Sequence, residues 1–371
     1  MKQRAIVIGD STNNTLSVVR SLGEANIEQI LILKCETDIC FVANSKYLKH
    51  AIHFQIKQIE ECLPILKSLK SKEWKQSIIC TFDEAAEFID ENEGDLFPTF
   101  LTPARGYHIN KLFNKRNQCK LAESCGLTVP KSYVLDRSKL IDRLPIEFPV
   151  LLKPLYSTKG EKSDIHICRQ SEDIQNSLAE ASKCHTFLLQ EFIEKEYELD
   201  CIGVRTENEV FIAGAVKKIR HYPELIGAGA YGLFVPISKL NINEDGIKHF
   251  LEQAHYYGPF SIEFLHRGKD NYFMEVNFRN EGLAYVATAA GANLHAMYIN
   301  PAYKVDKSKI KDIYMMNYSI DFLYVKSGKL SLTQWLVDFF KTRCFININL
   351  KDLYPTILHY KSKLLNKTNM I

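Results

Sequence analysis

The chain has 371 residues, of which 46% are hydrophobic, 11% aromatic and 25% charged, and its formal net charge is +3. This length exceeds one typical domain, and the ordinary globular composition excludes a disordered or low-complexity protein. The small net charge and the scattered lysines and arginines do not favour a nucleic-acid partner.

The start of the chain and its cysteines bear on location and redox state. The sequence MKQRAIVIGD runs directly into a strand-like segment, and no stretch of 18 apolar residues follows, which predicts a cytoplasmic protein without a transmembrane segment. The ten cysteines form no C-x-x-C motif, and their closest pairs are Cys35 with Cys40 and Cys119 with Cys125. Neither spacing fits a zinc site, so we predict reduced and mostly buried thiols.

The first 100 residues alternate between strand and helix patterns. An apolar run at 4–9 is followed by a helix pattern that includes Leu16 and Val19, and strand character returns at 29–34 and at 77–84, where the strand ends in acidic residues. This order predicts a βαβ unit and a Rossmann-like domain. The turn GDSTNN lacks the G-x-G-x-x-G pattern, so a dinucleotide is not expected there.

The pattern changes after residue 110. A helix is predicted over 111–125, because Gly126 and a following proline form a C-terminal signal. An apolar strand at 148–153 ends in lysine and precedes a polar loop at 155–164 and a helix at about 171–183. Further strand patterns then predict an α+β half built on antiparallel strands: TFLLQEFI, ELDCIGVR, EVFIAGAVKKI, FSIEFL and NYFMEVNF.

The segment after residue 301 carries an amphipathic helix, a strand and a lysine-rich end. Trp335, Phe339, Phe340 and the nearby lysines leave two interpretations open. They pack against the main body, which is the commoner outcome, or they contact a membrane surface.

The segment FMEVNFRNEG alternates polar and apolar side chains. With a period of 2, Glu275, Asn277 and Arg279 share one face of a strand, opposite an apolar face that begins with Met274. A hairpin that turns through the polar run after FSIEFL would bring Glu263 beside Glu275. Two carboxylates and an amide oxygen resemble half of a magnesium site, and the alternative is an antiparallel pair with one solvent-facing polar face.

Four signals occur along the chain in a distinctive order: Lys115 in a helix, Lys153 at the end of a strand, Glu191 with Glu198, and the E-x-N-x-R strand. In this order and spacing the chain resembles the ATP-grasp superfamily, in particular its carbamoyl-phosphate-synthase-like and D-aspartate-ligase-like branch of carboxylate-amine ligases. The resemblance implies an ATP-grasp fold, α/β and α+β, with these parts: a Rossmann-like pre-ATP-grasp domain at 1–105, an ATP-grasp domain at 106–300 with a lid subdomain at about 130–190, and a C-terminal helix-strand extension at 301–371.

The resemblance also implies nucleotide-binding roles. Lys115, or Arg116 beside it, and Lys153 would bind the phosphates of ATP. Glu191 and the backbone of Ile193 would hold the adenine, and Glu198 would bind the ribose hydroxyls. The loop at 155–164 stands where a glycine-rich loop closes over the phosphates, but Gly160 is its single glycine, so Lys159 or Lys162 would assist.

The metal and the transferred phosphoryl group are assigned by the same resemblance. Glu263, Glu275 and Asn277 match ligands of Mg²⁺, with Mn²⁺ as an alternative cation, and Arg279 would face the phosphoryl group in transfer. Substrate groups would lie near Asn280.

A cluster of cations between the two halves gives a further substrate prediction: Lys217, Lys218, Arg220 and His221. They would bind a carboxylate or phosphate of the acceptor substrate, and the alternative is a solvated strand end.

The implied activity is that of an ATP-dependent carboxylate-amine ligase, which forms an amide or peptide bond through an acyl phosphate. Its partners would be a small-molecule carboxylate and an amine, in cell-wall or surface-polysaccharide metabolism, and a homodimer is left open. One alternative is an ATP-grasp enzyme that forms carboxyphosphate or carbamoyl phosphate. The other is a non-catalytic ATP-binding module, against which Arg279 and the metal ligands argue.

Overall fold

A computed structural model describes residues 1–36, 40–138, 144–181, 184–224 and 228–368. Within these ranges the chain forms three sheets, of four, four and seven strands. None of the described helices has the length and apolarity needed to cross a lipid bilayer.

The first sheet is parallel and has the order β3-β2-β1-β4. Its strands are β1 (Lys2–Asp10), β2 (Glu28–Lys34), β3 (His53–Ile56) and β4 (Trp74–Cys80), and its helices are α1 (Asn13–Glu24), α2 (Cys62–Ser68), α3 (Asp83–Glu91) and α4 (Glu93–Leu96). The strand predicted at 77–84 therefore ends at Cys80. Asp83 and Glu84 instead occupy the first turn of α3, where the helix dipole favours carboxylates.

The second sheet is antiparallel, in the order β5-β8-β6-β7. Its strands are β5 (Ser132–Asp136), β6 (Val150–Pro154), β7 (His166–Cys168) and β8 (Thr186–Glu191), with helices α5 (Lys115–Ser124) before it and α6 (Ser171–Glu180) within it. The helix predicted from residue 111 begins later, because the Asn114 side chain accepts hydrogen bonds from the backbone N–H of Arg116 and Asn117 and so caps α5. Residues 182 and 183 of the predicted helix at 171–183 lie outside the described residues, as does the side chain of Lys162.

The third sheet has the order β13-β12-β9-β10-β11-β14-β15 and is antiparallel except for the parallel pair β14 and β15. Its strands are β9 (Tyr197–Arg205), β10 (Val210–Tyr222), β11 (Ala228–Pro236), β12 (Gly258–Arg267), β13 (Asp270–Asn277), β14 (Ile313–Met316) and β15 (Thr342–Phe345). The remaining helices are α7 (Glu244–Gln253), α8 (Tyr285–Ala289), α9 (Leu294–Ile299), α10 (Tyr318–Lys326), α11 (Leu332–Lys341) and α12 (Tyr354–Thr368). Residues after 301 thus continue the same sheet.

One apolar core joins the first sheet to the third. It contains side chains of α1, β1 and β2 together with residues of β10, β11, α8, α9 and β14. A buried ion pair crosses the same boundary, because Arg20 of α1 donates from Nε to Asp352 Oδ2 at 3.0 Å and both side chains are 1% exposed. The two parts are therefore held together by packing and by a fully desolvated charge pair.

The cysteine prediction is wrong for one pair. Cys35 and Cys40 form a disulfide, their Cα atoms being 6.5 Å apart, a separation that a disulfide can bridge. Sequence spacing could not show this approach. The other eight cysteines are free and buried, as predicted.

Candidate functional site

The polar face of the β12–β13 hairpin carries the predicted metal ligands. Glu263 lies directly opposite Glu275 in the antiparallel register, and the Asn277 amide donates to Ser261 Oγ at 3.0 Å, which leaves the amide oxygen available to a cation. A register shift follows Glu263, so the predicted alternation is wrong at Met274, which is only partly buried. Phe273 fills the core in its place, because the bulge adds one residue to β13.

Two lysines from other elements reach Glu275. Lys115, the first residue of α5, lies 2.5 Å from Glu275 Oε2 and donates to Ser157 Oγ at 2.8 Å. Lys153, at the end of β6, is buried, and this burial lowers the pKa of its ammonium group. Burial alone would raise the pKa of Glu275, but Lys115 and Lys153 outweigh it and lower this pKa to about 2. Glu275 is therefore ionised throughout the physiological range.

The donor set fits a hard divalent cation. Lys218 acts to lower the pKa of Glu263, but desolvation and repulsion from Glu275 and Glu281 outweigh it and raise this pKa. A cation between the two carboxylates would relieve that repulsion. The described residues contain no group of three or more His, Cys, Asp or Glu side chains placed to hold a metal. Two carboxylates and one amide instead suit Mg²⁺, which commonly keeps waters and substrate phosphates as ligands.

Arg279 lies just after β13, which ends at Asn277, so the prediction that it lies on the strand is wrong. It connects this hairpin to α3 beside the first sheet. Its guanidinium donates to both oxygens of Asp83, at 2.7 and 3.4 Å, and to Glu281 Oε2 at 3.3 Å. Burial would lower the pKa of Arg279, but Asp83 and Glu281 raise it above its ordinary value. The planar fork is thus oriented by a carboxylate that belongs to α3.

An acid-base cluster lies beside the two carboxylates. Lys218 of β10 contacts Glu198 at 3.2 Å and Glu263 at 3.5 Å, and Lys195 also pairs with Glu198. Asp200 faces Glu263 across the β9–β12 register and is almost fully buried, and desolvation raises its pKa well above the ordinary value. Lys218 thus pairs with carboxylates of two strands, β9 and β12.

The segment after β8 forms a turn between the second and third sheets. The Glu191 backbone N–H donates to the Lys131 carbonyl at 2.8 Å, and Lys131 N–H donates to a Glu191 carboxylate oxygen at 3.2 Å. The side chain of Ile193 is buried, and Glu198 follows at the start of β9. Glu198 lies beside Glu263 of the hairpin through their shared partner Lys218, whereas Glu191 contacts Lys131.

Residues 115–300, half of the chain, match the RimK-like ATP-grasp domain. The chain belongs to the RimK-like ATP-grasp family. Two relatives extend the similarity: D-aspartate ligase of Enterococcus faecium is 26% identical over 282 residues, and N5-carboxyaminoimidazole ribonucleotide synthase of Aquifex aeolicus is 28% identical over 163 residues. These matches cover 70% and 42% of this chain but 66% and 39% of the relatives, so the chain spans less than two thirds of either length.

Solved structures confirm the ATP-grasp fold. The ADP complex of an N5-carboxyaminoimidazole ribonucleotide synthetase superposes with a TM-score of 0.66 at 14% identity, covering 89% of this chain and 86% of that one. The L-amino acid ligase from Bacillus licheniformis gives a TM-score of 0.60 at 12% identity, covering 84% and 78%. The predicted superfamily and the predicted α/β and α+β architecture are therefore confirmed.

The ATP-grasp structure separates the four cations predicted to bind substrate. Arg220 is held by two C-terminal carboxylates, Asp321 at 2.8 Å and Asp338 at 2.7 Å. The Lys217 ammonium lies 3.6 Å from the centre of the Tyr197 ring, and Lys218 enters the acid-base cluster. Burial lowers the pKa of His221, which is half-buried.

Asn280, the remaining substrate prediction, is fully buried. Its amide nitrogen donates to Asn14 and to Ser17 Oγ at 3.0 Å, and its oxygen lies 2.7 Å from His295 Nε2. In this structure the amide joins the first sheet to the ATP-grasp domain, so its hydrogen bonds are already used within the protein.

Sequence reasoning missed several residues of the site. A cleft of about 360 Å³ is lined by Asp83, Glu87, Phe113, Lys115, Ser157 and Glu275. Thr158 donates to Glu87 at 2.8 Å, so the polar loop already contacts α3.

The sequence held a signal for Asp83, because this residue follows a parallel strand at the edge of the sheet where ligands bind. For Asp200 the signal was its spacing of two from Glu198, which puts both on one face.

Proposed function

We propose that the protein is an ATP-dependent ligase that joins a carboxylate to an amine. A carboxylate oxygen attacks the γ-phosphorus of ATP, and the bond to ADP breaks to give an acyl phosphate. An amine nitrogen then attacks the acyl carbon, phosphate leaves, and the nitrogen loses a proton. The observation that supports this best is the charge environment of Glu275, which lies opposite Glu263 and is acted on by Lys115, Lys153 and Arg279.

The phosphates have a matching set of donors. Lys115, at the start of helix α5, and Lys153, on strand β6, are compact charges suited to phosphate oxygens. Glu263, Glu275 and Asn277 would hold Mg²⁺, or Mn²⁺ as an alternative, which when bound neutralises charge on the β- and γ-phosphates. Lys115 pairs with Glu275, so under this proposal both groups would exchange partners when the nucleotide and the metal bind.

Arg279 is the proposed catalytic residue. Its guanidinium would stabilise the negative charge that spreads over the phosphoryl oxygens during transfer. Asp83 holds this fork in place through two hydrogen bonds, so little reorganisation is needed at the moment of reaction. Asp83 is in this proposal a positioning residue.

The nucleoside would bind at the turn after β8. Glu191 and the backbone of Ile193 would read the adenine, and Glu198 would accept hydrogen bonds from the ribose hydroxyls. Burial alone would raise the pKa of Glu198, but Lys218 and Lys195 lower it, so an ionised acceptor is maintained.

Lys218 is the strongest candidate for contact with the acceptor carboxylate. It lies within 3.5 Å of Glu263 and is almost fully buried, so it connects the metal ligands with the nucleoside side of the cleft. Arg220 and Lys217 already have partners at Asp321, Asp338 and Tyr197, which makes them weaker candidates. His221 and Asn280 stay predictions.

The substrate class follows from analogy. The D-aspartate ligase relative carries an amino acid in its name, which supports an amino acid as the amine and a larger carboxylate as the acceptor, in cell-wall or surface-polysaccharide metabolism. Assembly as a homodimer and placement in the cytoplasm stay predictions.

Phosphate release from Mg²⁺ and ATP, measured against pools of amino acids and carboxylates, tests the ligase. We expect release that requires one carboxylate and one amine, and a product whose mass equals their sum minus water. Glu275→Gln should abolish turnover, whereas Glu252→Gln, an exposed glutamate on α7, should not. Stimulation by bicarbonate without a second carboxylate would instead support the carboxyphosphate alternative, and tight ATP binding without any release would support the binding module.

Metal dependence is a separate prediction of the same site. Calorimetric titration should show that ATP binds much more weakly without Mg²⁺, and that Glu275→Gln loses most of the Mg²⁺-dependent gain, because the variant removes one charged oxygen ligand. Equal ATP affinity in the presence and absence of Mg²⁺ would contradict the assignment of Glu263, Glu275 and Asn277.

A further inference from the structure

Helix α11 exposes an apolar face. Leu332, Leu336, Val337 and Phe340 all point away from the protein, and Phe340 is 74% exposed. A helix on the surface of a globular protein normally shows its polar residues to water. Four large apolar side chains on ten residues instead form a patch of the kind found at interaction sites.

The opposite face of α11 is fully used by the fold. Trp335 packs on Phe322 of α10 with ring centres 5.1 Å apart and on Phe339 at 5.2 Å, and Asp338 is paired with Arg220. The helix is therefore fixed in its orientation. The exposed face cannot turn inward without breaking these contacts.

A second apolar group lies shortly after β15. Its exposed members are Leu350, Leu353, Tyr354 and Ile357, of which Leu350 is 84% exposed. Helix α12 packs on α10 through Tyr360 and Tyr318, whose ring centres are 5.7 Å apart, as α11 does through Trp335 and Phe322. Both apolar groups thus belong to the helices that surround α10.

The charges of the C-terminal segment are mostly cationic. Between residues 322 and 371 the sequence has eight lysines and arginines and two acidic residues, Asp338 and Asp352. Both acids are buried in ion pairs, with Arg220 and Arg20. The exposed charged residues that the described part of this segment contributes are Lys326, Lys329, Lys341, Arg343, Lys351 and Lys361. Of these, Lys329 pairs with the exposed Glu224 at 2.7 Å.

We propose that this C-terminal face, formed by the exposed residues of α11 and of 350–357, binds the surface of a membrane that contains anionic lipids. Apolar side chains of a surface helix enter the boundary between head groups and acyl chains, and lysines beside them attract anionic head groups. The combination of exposed Phe340 with Lys341 and Arg343 is what such an interface requires.

The charge argues against a second copy as the occupant. Two copies that met through this face would bring Lys341, Arg343 and Lys351 of one copy towards those of the other, and Asp338 and Asp352 are buried in ion pairs and cannot compensate. Anionic head groups provide the opposite charge at high density. The proposal concerns binding to lipid and does not depend on the ligase reaction.

Sedimentation with vesicles tests the proposal on the full chain. We expect binding to vesicles of phosphatidylcholine with about 30% phosphatidylglycerol, weak binding to pure phosphatidylcholine, and a marked loss in 0.5 M salt, because exposed charges are screened. The double variant Leu336→Ser with Phe340→Ser should reduce binding by roughly tenfold or more, and Lys341→Glu by roughly fivefold or more. Because these side chains are exposed, the fold should survive.

The matched control is Val134→Ser, which removes an exposed apolar side chain from β5 in the second sheet and should leave vesicle binding unchanged. Two results would overturn the proposal. One is failure of the wild-type chain to sediment with anionic vesicles. The other is a dimer, measured by light scattering, that Phe340→Ser disperses while vesicle binding is unaffected, which would make a second copy the occupant.

Discussion

Arg279 follows strand β13 and Asp83 begins helix α3, yet their side chains form a bidentate contact at 2.7 and 3.4 Å. An arginine held in this way keeps a fixed direction. Because Asp83 lies in the first turn of α3, the position of Arg279, the proposed catalytic residue, depends on how the first sheet and its helices pack against the hairpin. A single residue contact thus connects the domain interface to the chemistry.

Replacing Arg279 by alanine should lower kcat by roughly 10²-fold or more while changing ATP affinity much less, because its charge acts on the transition state. Arg279→Lys should recover little, since one ammonium cannot reproduce the planar fork. Steady-state kinetics and calorimetry on the same variants give the comparison, with Arg267→Ala, an exposed arginine at the end of β12, as the control. If affinity falls as much as turnover, Arg279 is a ground-state phosphate ligand.

At the scale of elements, the turn between β8 and β9 should select the base. Hydrogen bonds with the backbone of Lys131 fix both the backbone and the carboxylate of Glu191, so the carboxylate keeps one orientation. We expect ATP with Mg²⁺ to raise the Tm more than GTP at equal concentration, since bound ligand stabilises the folded state by RT ln(1 + [L]/Kd). Thermal unfolding with each nucleotide measures this. Equal protection by GTP would contradict the adenine assignment.

Helix α9 carries a histidine whose titration opposes folding. His295 is fully buried, its Nε2 donates to Asn280 Oδ1 at 2.7 Å, and burial lowers its pKa to about 3. The folded state favours the neutral form of His295. Its contribution to the stability of the fold is therefore complete above the pKa of histidine in the unfolded chain, about 6.5, and is lost as the pH falls towards 3.

Below pH 6.5, His295 should lower the free energy of unfolding by about 1.4 kcal/mol for each pH unit, because the unfolded chain binds one proton that the folded chain does not bind. His295→Gln keeps a donor for Asn280 but does not titrate, so its stability should depend less steeply on pH between 6.5 and 5. Urea unfolding at several pH values gives the two slopes. Parallel curves for the two proteins would show that His295 does not contribute.

At the scale of the whole molecule, residues distant in sequence close the fold. Asp352, which lies after the last strand, accepts hydrogen bonds from Arg20 at 3.0 Å, from Ser45 Oγ at 2.9 Å and from the Lys46 backbone at 2.9 Å. The C-terminal segment is therefore anchored to the first sheet. The same anchoring fixes α12 against Phe41, whose ring lies 4.8 Å from that of His359.

Asp352→Asn should lower the free energy of unfolding by about 3 to 5 kcal/mol, because it leaves the buried Arg20 guanidinium without its counter-charge. Urea denaturation measures the loss, and Asp245→Asn, which breaks the exposed pair with Lys248, should change stability little. A similar small effect of both substitutions would mean that the buried pair is not what holds the C-terminal segment.

Local pattern was sufficient for most elements and for the hairpin that carries Glu263, Glu275 and Asn277. Strand periodicity and the turn residues act over a few positions, so they can be read from the sequence, and the order of the lysines and glutamates indicated the family. The bulge at Met274 was not predictable, because an inserted residue on one strand is decided by the packing of Phe273 into the core.

The sequence by itself determined the fold class, the order of the elements and the polar face of β13, since each depends on residues close together in the chain. Only the tertiary structure decided the contacts between distant segments: Asp83 with Arg279, Asp321 and Asp338 with Arg220, and Lys218 with Glu198 and Glu263. The disulfide between Cys35 and Cys40 belongs with them, because spacing does not show whether two thiols approach. The physical reason is that ion pairs and disulfides depend on distances in three dimensions. The sequence contains many possible partners for each charge and thiol, and the packing of the elements determines which of them come into contact.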